Sequence, residues 1–403
     1  MIRFLTAGES HGKALVTIVE GFPSNIPISA KDINHQLKRR QGGYGRSARM
    51  KIESDSVQIL SGIRFGKTLG SPISFLIENK DWVNWEEVLN IEKPTGLIMK
   101  ITIPRPGHAD LVGVAKYNFD DIRNSIERSS ARETAARVAA GSVAKIFLGQ
   151  FGIQIGSYVE SVGGIYSSKD YFTQFLQSKT SLGKTGLGIS FIADKSVVRV
   201  LDKSQEKKII NKIKSVKKHG DTLGGTFIAI ATGVPVGLGS FVHYDRRLDA
   251  DITFHLMSIN AVKGIEIGNG FTSAEQYGSQ VHDEITIDGK SFSRKTNHSG
   301  GIEGGVSTGL PIIIRAAMKP ISTLAKPLNS IDFSSMKKVV SRYERSDFTA
   351  VPSCAVVAES MLAWVIAKHF LLKFGGDSME ETKDNFNSFT KKSFSRVRKG
   401  FKK

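Results

Sequence analysis

The sequence predicts a mixed α and β fold in which the strands pair antiparallel. Three observations carry this expectation. Many short strand-like runs lie close together along the chain. Amphipathic segments with helix-start and helix-stop signals separate groups of them. Hydrophobic residues make up 40% of the 403 positions, as in a soluble globular protein large enough for one big domain or two ordinary ones.

Ile2 to Thr6 and Ala14 to Glu20 read as strands joined by Gly8-Glu9-Ser10-His11-Gly12. A polar tight connection between two core strands is a rigid place to hold a histidine. The same five residues also read as a plain glycine turn with a surface histidine, and alone they do not decide the matter. Ser29 followed by Asp32 marks the start of an amphipathic helix over Ala30 to Arg40. Strands are expected from Lys51 to Leu60 and from Pro72 to Glu78, and residues 80–100 are irregular. Prolines on both sides of Arg105 make Pro104-Arg105-Pro106-Gly107-His108 an extended loop. Arg128-Ser129-Ser130-Ala131-Arg132-Glu133 is expected to open a helix, with Ser130 and Glu133 as a capping box. The small residues Ala135, Ala136, Ala139, Ala140 and Gly141 that follow predict close packing and a central position. Further on come strands over Ile153 to Val162, Thr226 to Val234 and Leu310 to Met318. A surface insertion is expected over 167–184, and a lysine-rich amphipathic helix from Ser204 to His219 stopped by Gly220. Asp249 to Met257 is amphipathic, and the glycines after it mark turns. Ala355 to Phe374 is interrupted by Glu359 and Lys368, so it reads as a core helix and not a membrane span. Residues 1–376 form the expected domain. Residues 377–403 read as a mobile basic tail, because seven of the thirteen residues from Lys391 to Lys403 are Lys or Arg.

Composition narrows the function. One cysteine, Cys354, excludes a disulfide framework and a thiolate metal cluster. The 56 Lys and Arg against 38 acids give +18, which points to acidic partners: nucleic acid, anionic lipid or a phosphorylated small molecule. Nucleic acid fits poorly, since much of the charge lies in the tail and no reader module is present. The N-terminus lacks a basic-then-apolar secretion signal, so a cytoplasmic location is expected. Arg39, Arg40, Arg46 and Arg49 are interleaved with Gly42, Gly43 and Gly45, a combination suited to an anion. The glycine-rich stretch 297–309 has neither a Walker lysine nor a strand–GxGxxG–helix context, yet it can wrap a flat ligand.

Taken together, Gly8 to Gly12, the Arg39–Arg49 loop, Arg105 to Asp110, Arg128 to Thr134, Ser258 to Gly264, the 297–309 stretch, Lys319-Pro320 and Arg345-Ser346-Asp347 resemble chorismate synthase, over about Ile2 to Phe374. The resemblance implies an α+β fold of one domain, with a central helical layer sandwiched between antiparallel β-sheets, and a homotetramer. It implies the 1,4-elimination of phosphate from 5-enolpyruvylshikimate 3-phosphate to give chorismate, the last common step to the aromatic amino acids. The implied cofactor is reduced FMN, with either NADPH or a separate flavin reductase keeping it reduced. No nucleic acid, membrane or metal is expected. Implied catalytic residues are His11 with Ser10 beside the leaving phosphate, His108 at the flavin, and Asp347 and Ser129 in proton traffic at flavin N5. Implied flavin contacts are Arg128, Ser129, Ser130, Asn260, Ala261, Gly304, Lys319, Pro320, Ile321, Ser322, Thr323 and Arg345. Arg40 and Arg46 match NADPH positions and suit substrate phosphate equally, while Arg49, Arg105 and Arg132 would bind substrate. Ser346 and Phe348-Thr349 stand where the family often has His and Pro-Cys, which alters the surroundings of Asp347.

Overall fold

The computed structural model describes residues 2–46, 54–92, 94, 96–177, 186–288, 291–342 and 346–400. The first sheet contains β1 (Arg3–Ala7), β2 (Ala14–Glu20), β3 (Val57–Ser61) and β4 (Ile73–Glu78), in the order β1-β2-β4-β3, all antiparallel. Alternation sets its faces. Leu15, Thr17 and Val19 of β2 and Ile73, Phe75 and Ile77 of β4 point into the core, while Leu5 and Ile18 are exposed. Between β2 and β3 lies α1 (Ala30–Gln41), whose start is the expected Ser29–Asp32 capping box.

The second sheet contains β5 (Gln154–Val162), β6 (Ile165–Tyr166), β7 (Gly225–Thr232), β8 (Val262–Ile267) and β9 (Ile312–Met318), in the antiparallel order β8-β9-β7-β5-β6. The strand β8 occupies a stretch whose glycines suggest turns, because Gly264 is tolerated at an irregular edge register against β9. Both faces of this sheet are covered, so β7 reads as a nearly continuous apolar run.

Between the sheets run α1, α4 (Thr134–Gly149) and α9 (Val351–Phe374). The alanines of α4 are buried, and a Cβ at Gly141 would lie 2.4 Å from Ser360 Cβ and 2.6 Å from the Ser360 carbonyl. Only glycine lets the two central helices cross this closely. The helix α9 is long and apolar enough to cross a membrane, yet most of it is buried between the sheets. Its Glu359 is 0% exposed and is surrounded by Arg39, Lys145 and Arg199.

Three expectations are corrected. Residues Arg128 to Glu133 do not open one helix. The short α3 (Arg123–Ser129) ends there, Ser130 is extended, and a 3-10 turn (Ala131–Glu133) precedes α4. Ser130 Oγ accepts from Arg132 N–H, but Glu133 does not complete a capping box; its carboxylate is taken by Thr6 Oγ1 and Arg137 Nε. The 167–184 stretch is not simply a surface insertion. Phe172, Phe175 and Leu176 of α5 (Tyr171–Leu176) are buried with Ile189 and Ala193 of α6 (Gly186–Ala193) on the outer face of the second sheet. The segment after Gly376 is not a mobile tail in its first turns. It forms α10 (Met379–Gly400), with Met379 and Thr382 buried and Phe386 and Phe389 packed on Phe374. An amphipathic pattern of period 3.6 outweighs its charge. The short α2 (Asp110–Tyr117) follows the His108 loop, and the remaining long helices, α7 (Lys203–His219) and α8 (Leu248–Met257), lie where the sequence places them.

Candidate active site

The turn between β1 and β2 is shaped by Gly8, with φ +106° and no room for a Cβ, which would sit 2.3 Å from the Ala14 carbonyl. Three side chains fix it. Asn79 Nδ2 donates to the carbonyls of Glu9 (3.1 Å) and Gly12 (2.6 Å). Glu127 of α3 accepts from the His11 N–H at 2.8 Å, and its two oxygens lie 3.0 and 2.9 Å from His11 Nδ1. The ring of Trp85 stacks on His11, with centroids 4.1 Å apart. Arg123 lies 4.9 Å above the Trp85 ring and 3.3 Å from Glu127, closing a ring of four side chains. Burial alone would raise the Glu127 carboxyl, but the hydrogen bond and charge of His11 outweigh it and hold the acid below its ordinary value.

A second group lies beside this turn. Asp55 is buried and accepts from Arg40 Nη2 at 2.8 Å and from Arg132 Nη1. Arg132 Nε also donates to Asn79 Oδ1 at 2.9 Å, which ties this pair to the histidine turn. Burial would raise the Asp55 carboxyl, and the two guanidiniums depress it instead. Arg46 Nη1 lies 3.0 Å from Asp347 Oδ2. Gly45 is packed on Ile213 and Thr349, and its carbonyl accepts from Phe348 N–H at 2.8 Å. The loop that carries Arg46 and the segment that carries Asp347 are thus one layer. Asp347 does not cap α9, whose preceding residue is Ala350.

A third group joins distant loops. Lys319 Nζ and Ser322 Oγ donate to the Gly107 carbonyl at 2.7 and 3.0 Å, and Thr323 Oγ1 lies 2.9 Å from His108 Nε2. Gly107 has φ +78°, and a Cβ there would meet Ser322 Oγ at 2.8 Å. Lys319 N–H donates to the Ala261 carbonyl at 2.9 Å, and Asn260 Nδ2 donates to the Ser129 carbonyl at 3.0 Å. Asn260 Oδ1 is buried with no partner among the described residues, an acceptor available to a ligand N–H. Burial and then the charge of Arg105 push His108 down to about 4, so it is neutral at pH 7. Arg105 forks onto Asp110, with Nε and Nη2 at 2.8 and 3.0 Å from the two oxygens. Burial, Arg123 and Arg105 lower Arg342 to about 10, so three guanidiniums share one neighbourhood. Such a concentration of positive charge favours a polyanion.

The model of the family described as chorismate synthase matches residues 2–371. The chain belongs to the chorismate synthase family. It is 54% identical over 391 residues to the chorismate synthase of Chlorobaculum tepidum, covering 96% of this chain and 98% of that one. The chorismate synthases of Alkaliphilus metalliredigens and Aquifex aeolicus are 53% and 50% identical over 393 and 392 residues, covering 97% and 96% of this chain and 100% and 97% of theirs. A crystal structure of chorismate synthase superposes with a TM-score of 0.77 at 43% identity, covering 96% of this chain and 97% of the other. The α+β fold expected from the resemblance is the fold observed.

Measured against the chorismate synthase resemblance, the structure gathers most of the expected residues but not all. His108, Ser129, Asn260, Ala261, Lys319, Ser322 and Thr323 belong to one hydrogen-bonded assembly. Pro320 and Ile321 lie within its loop, where the Ile321 carbonyl accepts from Thr222 Oγ1 at 2.6 Å. His11, buried Ser10 and Arg132 surround Asn79 and Glu127, and Arg40 is joined to Arg132 through Asp55. Arg128 turns toward the end of β1, donating to the Thr6 carbonyl at 2.8 Å. Gly304 is on a small hairpin whose Gly305 carbonyl accepts from Leu248 N–H at 2.9 Å. Arg49 and Arg345 are outside the described residues. Sequence reasoning missed Glu127, Asp55, Arg123 and Arg342. Glu127 sits immediately before Arg128, one residue outside the Arg128–Thr134 stretch; the others carry no local signal.

Proposed function

We propose that this chain catalyses the 1,4-elimination of phosphate from 5-enolpyruvylshikimate 3-phosphate to form chorismate, with reduced FMN as its cofactor. The observation that carries this reading is the assembly of His108, Thr323, Lys319, Asn260 and Ser129 from four separate stretches of chain, beside a cluster of guanidiniums. A site for two polyanions needs many fixed donors and cations, and that is what these loops supply. The residues fit the flavin: Asn260 Oδ1 is an unsatisfied buried acceptor, and Lys319 and the arginines offer charge to its phosphate. When bound, reduced FMN lends electron density that eases departure of an allylic phosphate.

The chain's own residues bind, orient and move protons. His11, held at Nδ1 by Glu127, presents its other nitrogen for protonating the departing phosphate, with Ser10 beside it. His108, neutral at pH 7, handles a proton at the flavin, and Asp347 and Ser129 serve the proton that leaves carbon. Arg40, Arg46, Arg49, Arg105 and Arg132 offset substrate phosphate and carboxylate. Arg40 and Arg46 serve NADPH if the chain reduces its own flavin; otherwise a separate reductase supplies it. Because Arg105 is already forked onto Asp110, its share is a diffuse field and not a bidentate clamp. Arg128, Ser130, Gly304, Pro320, Ile321 and Arg345 complete the flavin contacts. The working form is a cytoplasmic homotetramer.

The test is anaerobic release of phosphate from 5-enolpyruvylshikimate 3-phosphate by purified protein with chemically reduced FMN; absence of release refutes the reading. His11→Ala cuts turnover by about 10² or more if His11 is the general acid. Turnover driven by NADPH without added reductase distinguishes the two sources of reduced flavin.

A further inference from the structure

Glu127 touches neither substrate nor cofactor in the reading above, and beyond its contact with His11 it has no assigned role, yet its carboxylate is the most constrained group near His11. Its side chain is 1% exposed. It accepts from three donors: the His11 backbone N–H at 2.8 Å, His11 Nδ1 at 2.9 Å and Arg123 Nη1 at 3.3 Å. Its own carbonyl accepts from Ser10 N–H at 3.1 Å, so one residue of α3 sets both the backbone and the ring of the turn. An ionised carboxylate only accepts, so the nitrogen facing it must carry hydrogen. This fixes Nδ1–H whether the ring is neutral or charged, and it leaves Nε2 as the nitrogen that exchanges a proton. Trp85 on one face of the ring, and Arg123 joining Trp85 to Glu127, prevent the ring from turning over to exchange its nitrogens.

We propose that Glu127 is the positioning residue of His11: through Nδ1 it selects the tautomer and aims Nε2 at the departing phosphate. The proposal rests on the reading of His11 given above. In the step it governs, the imidazolium Nε2–H bond breaks, the proton passes to a phosphate oxygen, and the ring is left neutral with its hydrogen on Nδ1. Glu127 neither gains nor loses a proton. A glutamine here would keep the shape, but with its oxygen at the Oε2 position, where both His11 donors meet it, its NH2 falls at Oε1, 3.0 Å from His11 Nδ1 and against Arg123 Nη1; the charge that favours Nδ1–H is gone and the NH2 can donate to a bare Nδ1.

The experiment uses full-length protein labelled with 15N-histidine, the His11 signals being identified by their loss in His11→Asn. In the wild type the neutral ring of His11 is expected in the Nδ1–H form. In Glu127→Gln that form becomes a mixture, and kcat falls about 10- to 10²-fold, as for removal of the group that orients a ligand histidine, with KM changed less than about threefold. Glu127→Asp, which keeps the charge, recovers part of kcat. A wild-type ring with hydrogen on Nε2 overturns the proposal without any variant. So does a Glu127→Gln protein with kcat within threefold of wild type, or with reduced kcat and an unchanged tautomer, which would mark a structural role only. If the wild type releases no phosphate, the proposed reaction fails, whereas the tautomer measurement still decides whether Glu127 controls His11.

Discussion

Replacing Glu359 by Gln tests whether the helical layer is held by a buried charge. Its Oε1 receives Ser157 Oγ at 2.6 Å, Ser190 Oγ at 2.9 Å, and Arg39 and Arg199 Nη2 at 2.9 and 3.2 Å. Its Oε2 receives Arg39 Nη1 at 2.7 Å and Lys145 Nζ at 2.5 Å. Burial would raise this carboxyl, and the three cations hold it well below the ordinary range. Glutamine offers one oxygen and sets its NH2 against the remaining donors. Asp194 then remains paired with Arg39 and Arg199, and among the described residues Lys145 keeps its bond to Gln36 Oε1. Breaking a buried pair in this way costs about 3–5 kcal/mol. Lys145, already lowered to about 8, can shed its proton and keep the loss toward the lower end. For a chain of this size the shift in Tm is about 4–6 °C, read by calorimetry at one scan rate for both proteins. Lys145→Met on the same background should recover part of it, because one stranded charge is removed. A Tm within about 2 °C of wild type would refute the reasoning and show the network to be energetically idle.

Cys354 is buried in α9 and its thiol is pushed up to about 12, so a disulfide reagent should find no reactive thiol in the native protein and one per chain in guanidinium. His108 takes up its proton near 4 when folded but near 6.5 when unfolded, so its contribution to stability is complete above 6.5 and is lost as pH falls toward 4. The urea midpoint of His108→Asn should therefore fall less steeply over that window than that of wild type. Ending the chain after Gly376 removes Phe386 and Phe389, uncovering Phe151, Phe370 and Phe374. At about 1.5–3 kcal/mol for each phenylalanine buried fully, a clear fall in Tm or solubility is expected, which a chain ending after Lys391 should not show.

Much of this fold was legible because periodicity and caps are local. Ser29 and Asp32 placed α1, and alternation placed β2 and β4 within a residue or two. Errors arose where distant contacts decide. Ser130 and Glu133 have the spacing of a capping box, but Thr6 and Arg137 compete for the acid. The basic tail is helical because its phenylalanines find an aromatic cluster that includes Phe151, far from Phe386 in the sequence. Site residues were legible as motifs, not as geometry. Nothing in the sequence pairs Arg46 with Asp347, Arg40 with Asp55, or His11 with Glu127, since each pairing is made by loops and helices meeting in space.

The junction at Gly107 has a mechanical consequence. Three side chains from 319–323 grip the two residues Gly107 and His108, and the missing Cβ lets them seat without a gap. Pulling the loops apart would break all three bonds together, at about 0.5–1.5 kcal/mol each. The backbone bond from Lys319 to Ala261 extends the linkage to the edge strand β8. The histidine is therefore not a side chain on a free loop. It rides on the same clasp as the lysine and threonine beside it, so any ligand that displaces one carries the other with it.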